Sequence, residues 1–166
     1  MADFLQCVGM CLDSSFLLNP RNSTLVENKP GGTQQIVLHG RGQRLIYSFD
    51  KDGVNLYPYF TEVTGLNSIA DYVVFSQSSD GTPFVLVFEL KKAKSPVYQL
   101  LVTKMFCTFM LDRINCACKT GFNAEIRMIG LVENAKGSTN PRNLKYNDKK
   151  ILTTSLRSLK LEDLLV

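Results

Sequence analysis

Three ionisable residues stand in stretches that are otherwise apolar: Asp71, Glu89 and Lys91. Glu89-Leu90-Lys91 closes a run from Pro83 rich in Val, Phe and Leu. On a β-strand the two-residue period sends Glu89 and Lys91 to the same face. Asp71 lies near the start of a second such run, Ala70 to Ser76. Charged groups at the ends of buried strands are costly unless something compensates them. A divalent cation, with its water and a phosphate, would do so. Mg²⁺ takes oxygen ligands and keeps several waters, so two carboxylates and a backbone carbonyl suffice. Asp71 and Glu89 are the candidate ligands, with the carbonyl of Leu90. Bound there, the ion would activate a water and stabilise charge developing on phosphorus, while Lys91 orients that water or neutralises the phosphate. The expected chemistry is therefore hydrolysis of a phosphodiester bond.

The elements that must position these residues are legible in outline. Between the two runs lies Ser78-Ser79-Asp80-Gly81, a strong hairpin signal. Near-continuous apolar strands of this kind are covered on both faces. If Asp80-Gly81 alone formed the turn, Asp71 would pair with Leu90 and face away from Glu89 and Lys91. A shared face requires an odd-length loop, a bulge or a bend. Ser95-Pro96 opens a long helix, with Ser as N-cap, that runs to about Cys118 and stops before Gly121. Its polar residues Gln99, Thr103, Lys104, Thr108, Asp112 and Asn115 form one narrow stripe, so the rest of its girth is expected to be covered by the protein or by a second subunit. A first helix is expected over Ala2 to Asp13. Strands are expected over Gln35 to His39 and Arg44 to Phe49, joined by a Gly40-Arg41-Gly42 hairpin turn. Further strands are expected over Leu56 to Val63, Ala124 to Glu133 and Ile151 to Leu156, with a short helix from Leu159 or Lys160.

Asp71, seventeen residues, then Glu89-Leu90-Lys91 resembles the D-x(n)-E-x-K signature of the PD-(D/E)XK nuclease superfamily. The hairpin bearing the motif, the following helix and the next strand match its surroundings, from roughly Leu56 to Glu133. Ala70 stands where many members have Pro. The resemblance implies an α/β fold with a restriction-endonuclease-like αβββαβ core, a mixed central sheet flanked by helices. It implies a Mg²⁺- or Mn²⁺-dependent nuclease, an endonuclease ahead of an exonuclease. RecB-like members place a Gln and a Tyr on the following helix. Gln99, with Tyr98 beside it at a different spacing, is the position carried over. Many members also draw an upstream glutamate from the first helix. That helix offers only Asp3 and Asp13, which leaves Glu62 ahead of Glu27 as the further metal ligand.

Bulk composition fits this reading without requiring it. The chain has 166 residues, 45% hydrophobic and 20% charged, with a net charge of +4. That suits one globular domain over 1–166 and permits, but does not demand, a polyanionic partner. Five cysteines without a regular framework argue for a reducing compartment, cytoplasmic or, in a eukaryote, nuclear. Cys7 and Cys11 share a helix face, yet with His39 as the sole histidine buried thiols are favoured over a zinc site. The apolar N-terminus lacks a basic start and is too short to span a membrane. Expected partners are nucleic acid, DNA ahead of RNA, a second copy through the 96–118 helix, and a protein that targets the domain. A basic loop holding Lys136, Arg142, Lys145, Lys149 and Lys150 reads as surface more than as phosphate grip, and Tyr57, Tyr59 and Phe60 as core more than as base-stacking platform. The rival reading is a non-catalytic nucleic-acid- or protein-binding module on the same fold.

Overall fold

A computed structural model describes residues 3–19, 24–29, 32–61, 65–91, 96–132 and 144–165, with Lys91 described by its backbone position. The elements are α1 (Phe4–Cys11), β1 (Thr24–Lys29), β2 (Gly32–His39), β3 (Arg44–Tyr47), β4 (Tyr72–Gln77), β5 (Pro83–Lys91), α2 (Val97–Cys118), β6 (Glu125–Val132), β7 (Ile151–Thr154), β8 (Ser158–Lys160) and α3 (Leu161–Leu164). Local chemistry sets several boundaries. The Asp3 carboxylate accepts from the Leu5 N–H at 2.9 Å and caps α1. Asp13 caps a separate 3₁₀ turn, Ser14–Phe16, so the helix is shorter than Ala2 to Asp13. Lys119 takes the left-handed conformation, φ 54°, that ends α2. Ser95, expected as the N-cap of α2, lies outside the described residues, and Pro96 occupies the cap position.

The main sheet has five strands in the order β3-β4-β5-β6-β7. Strands β3, β4 and β5 form an antiparallel meander; β6 runs parallel to β5, and β7 parallel to β6. Helix α2 is the crossover between the parallel pair. Every residue of β5 from Phe84 to Leu90 is buried. Alternate residues feed two cores. Val73, Phe75, Val85, Val87 and Met128 pack with Phe4, Val8, Leu100 and Met110 of the helices. Val74, Leu86, Phe88, Leu90 and Ile129 pack with Leu25, Ile36, Leu38, Leu161 and Leu164. The protein is thus mixed α/β, as expected, with the two longer helices, α1 and α2, on one face. The other carries a three-stranded sheet, β1-β2-β8, together with the short α3.

That second sheet is where sequence-based expectation fails most. Strands β2 and β3 were expected to form a hairpin across Gly40-Arg41-Gly42, yet they belong to different sheets: β2 pairs β1 and β8, whereas β3 pairs β4. Gly40 has φ +124°, and a Cβ there would lie 2.7 Å from a Glu162 carboxylate oxygen. The same carboxylate accepts from the Arg41 N–H at 2.9 Å. A contact from 121 residues away therefore redirects the chain. Strands β1 and β8 were not expected. Conversely, the strand expected over Leu56 to Val63 is absent from its described part, where residues 56–61 form turns. Aromatic packing holds that segment instead, with Tyr57 edge-on to Phe106 at 5.7 Å. Within the single chain, Tyr98, Met105 and Phe109 of α2 are 56, 72 and 61% exposed.

Candidate active site

The register of the β4–β5 hairpin decides whether two carboxylates meet. Pairing runs from Tyr72↔Phe88 to Gln77↔Pro83, which leaves a loop of five residues, 78–82. The Asp80 carboxylate accepts from the Thr82 N–H at 3.1 Å and from the Ser78 hydroxyl, and Gly81 supplies φ +85°. The loop is odd in length. Continued by one position, the register brings Asp71 opposite Glu89, on the face shared by Val73 and Val87. A two-residue turn would have set Asp71 against Leu90 and turned it away.

Both carboxylates are buried, Asp71 at 6% exposure and Glu89 at 0%. One Asp71 oxygen accepts from the Leu90 N–H at 2.7 Å. Strand β4 begins at Tyr72, so the carboxylate takes the place of a further strand carbonyl and closes the ladder. This bond fixes Asp71 within one residue of Glu89. Tyr72, next in sequence, pins the same strand end to the smaller sheet, donating to the Val26 carbonyl and accepting from the Val26 N–H. Burial, above all, raises its phenol above the usual value.

The opening turns of α2 hold the segment that leads into Asp71. The Tyr98 hydroxyl donates to the Gly65 carbonyl at 3.3 Å, and the Gln99 amide to the Ile69 carbonyl at 3.4 Å. The Ala70 N–H donates to the buried Thr103 hydroxyl at 2.7 Å. On the other side of Glu89, its partner in β6 is Gly130. A Cβ on Gly130 would lie 2.4 Å from Pro96 Cγ and 3.6 Å from Leu100 Cδ1. Glycine is what lets the start of α2 sit directly on the sheet. The positive end of the helix dipole, equivalent to about half a charge, is thereby set beside the carboxylate pair.

Asp71, Glu89 and the Leu90 backbone are thus brought together, while the Leu90 side chain points into the opposite core. Lys91 occupies the last position of β5, opposite Val132; its side chain lies outside the described residues. Gln99 touches the loop before Asp71, which makes it a positioning residue. Glu62 lies outside the described residues, as do Lys92, Lys94, Lys136 and Arg142. Among the described residues no three His, Cys, Asp or Glu side chains are grouped to hold a metal ion, so the site consists of a carboxylate pair. As a donor set, two adjacent buried carboxylates fit a hard divalent cation that keeps its waters. Tyr59 and Phe60, expected in the core, are exposed. Lys150 is on the surface, as expected, and makes a 3.1 Å ion pair with Glu125, which Arg127 also bonds at 3.1 Å. These two cations, Arg127's hydrogen bond foremost, hold the Glu125 carboxyl below its usual value.

Two residues that build the site, Thr103 and Gly130, were not expected in that role. Thr103 stood out only as one member of a polar stripe, and Gly130 lies unmarked within the expected strand Ala124 to Glu133. Among the described residues no helix is long and apolar enough to cross a membrane. Compared with known protein families, characterised proteins and solved structures, the chain matches none.

Proposed function

We propose that this chain is a metal-dependent nuclease of the PD-(D/E)XK type, hydrolysing phosphodiester bonds at Asp71, Glu89 and Lys91. The observation that carries the reading is the odd-length hairpin, which sets Asp71 opposite Glu89 on one buried face. The element order supports it as well. With β1 and β2 set aside as part of the second sheet, a helix, an antiparallel three-strand meander, a helix crossover and a parallel strand follow the αβββαβ order of that superfamily.

Asp71 and Glu89 would hold Mg²⁺ or Mn²⁺, with the Leu90 carbonyl, and Glu62 as the further acid. The chemistry such an ion supplies is Lewis-acid stabilisation of phosphoryl charge and activation of water. The protein's own contribution is placement. Leu90 fixes one Asp71 oxygen through its N–H. Gln99 and Thr103 brace the approach to Asp71. The start of α2 favours negative charge beside Glu89, which suits both a carboxylate and a phosphate. Lys91, two residues beyond Glu89 along β5, brings a compact cation to the phosphate.

The test is cleavage of labelled single- and double-stranded DNA and RNA with Mg²⁺ or Mn²⁺, using wild type, Glu89→Gln, Asp71→Asn and Lys91→Ala. Wild type is expected to cut, and each variant to lose on the order of a hundredfold or more while retaining a cooperative melt. A folded wild type that cuts nothing and binds no metal by calorimetry would sink the enzyme reading. The exposed rings of Tyr59 and Phe60 favour a second reading, a non-catalytic module that binds nucleic acid by stacking. In either case the exposed Tyr98, Met105 and Phe109, spaced along one side of α2, are the surface we assign to a second copy of the chain.

A further inference from the structure

Two thiols meet where the end of α1 adjoins the end of α2, and a third lies one turn back on α1. Cys11 is the last residue of α1 and Cys118 the last of α2, and their sulfurs lie 3.6 Å apart. Cys7, one turn back on α1, is buried. Cys11 is exposed and Cys118 partly so. None of the three takes part in the carboxylate site. Two sulfurs in a disulfide stand about 2.05 Å apart, so the pair must close by roughly 1.5 Å. Both residues end their helices, where side-chain rotation meets least resistance.

Metal coordination is the obvious alternative use of such a cluster. It needs thiolates, and the Cys7 thiol is pushed up to about 11 by the neighbouring Cys118 and by burial. Among the described residues no three such side chains are grouped to hold an ion. What remains is a pair, one member open to solvent and the other at contact distance behind it.

We propose that Cys11 and Cys118 form a thiol-oxidation site, at which a low-molecular-weight disulfide converts them to an intramolecular disulfide tying α1 to α2. Cys11, as thiolate, attacks one sulfur of the reagent. A mixed disulfide forms, and one small thiolate leaves and takes up the proton that Cys11 gave to solvent. Cys118 then attacks the Cys11 sulfur, releasing the second small thiol in the same manner. The two protein thiols lose two electrons and two protons, and one reagent disulfide becomes two thiols. Burial, followed by the neighbouring Cys118, raises the Cys11 thiol. Exchange is therefore slow at neutral pH and accelerates as the solution becomes alkaline.

The two residues are 107 apart in sequence, so the bond closes most of the chain into a loop and restricts the unfolded state. The expected rise in melting temperature is about 5–15 °C. The experiment incubates the folded protein with oxidised glutathione, alkylates the remaining thiols, digests without reductant and sequences linked peptides by mass spectrometry. Titratable thiols should fall from five to three, two being consumed. Peptides 1–21 and 114–119 should be joined, with fragmentation placing the bond at Cys11 and Cys118. Dithiothreitol should reverse the thermal shift. Cys7→Ser and Cys116→Ser should retain the link, and Cys11→Ser should abolish it. Five surviving thiols, a bond running to Cys7 or Cys116, or a bond between two chains would overturn the assignment.

Discussion

Gly130→Ala probes the contact on which the candidate site rests, the seat of α2 on β6 beside Glu89. The added Cβ would lie 2.4 Å from Pro96 Cγ, 3.2 Å from Pro96 Cβ and 3.6 Å from Leu100 Cδ1. Carbon atoms in comfortable contact stand about 3.5–4.0 Å apart. Pro96 is a closed ring that cannot swing aside, so the start of α2 must retreat by about 1 Å relative to that spacing. Overpacking of this kind costs about 1–3 kcal/mol. Against it stands the roughly 0.5–1 kcal/mol that alanine gains over glycine within a strand. The net loss is about 1–2 kcal/mol, which lowers the melting temperature by roughly 2–8 °C in a chain of this size.

Gly9 supplies the control. It lies in α1, where an added Cβ would meet only Leu45 Cδ1, at an ordinary 3.6 Å. Gly9→Ala should therefore stabilise the protein by up to about 1 kcal/mol, in the opposite direction. Calorimetric melts of wild type and both variants read the two signs. If Gly130→Ala were neutral or stabilising, α2 would not press on β6 there, and the placement of its N-terminus beside Glu89 would be wrong. Nuclease assays of Gly130→Ala would add a second reading, because retreat of α2 also loosens its grip on the segment leading into Asp71.

Thr103→Val keeps the side-chain shape but removes the acceptor for the Ala70 N–H in a buried setting. It should cost about 1–3 kcal/mol, seen as a lower melting temperature, and should reduce metal-dependent cleavage more than an exposed substitution such as Asp112→Ala. Met105→Lys and Phe109→Lys place charge on the outward side of α2, where neither side chain supports the core. Light scattering should show a dimer for wild type and a monomer for the double variant, at unchanged melting temperature when measured under dissociating dilution; a monomeric wild type at high concentration would refute the self-association surface.

What could be read from the sequence divides along the range of the interactions involved. The hairpin and α2 were legible because their signals are local, namely Asp80-Gly81 between apolar runs and Ser95-Pro96 before a long helix. The turn from β2 to β3 was misread because Gly40 and Arg41 answer to Glu162, far along the chain. Tyr57, Tyr59 and Phe60 suggested a strand by composition, but they sit in turns held by Phe106 and by one another. Thr103 and Gly130 carry no local mark of their roles, since each role exists only through a partner in another element.

Asp71 and Glu89 show how narrow the local information was. Strands β4 and β5 are apolar on both faces, so hydrophobic alternation in the sequence cannot say which face Asp71 takes. Only loop parity could, and it depended on whether the turn comprises Asp80-Gly81 alone or all of 78–82. In the folded protein the ambiguity disappears. A one-residue slip would move Val73 and Phe75 out of the helix-covered core and Val74 out of the core beneath the smaller sheet. Each face has a shape of its own, set by helices on one side and strands on the other, so the slip would misfit both at once. The chain would sooner absorb a shortened loop by fraying at Gln77 and Pro83 than change register. The pairing of the two carboxylates is therefore enforced by packing along the entire hairpin, and it should survive changes in the loop that first made it legible.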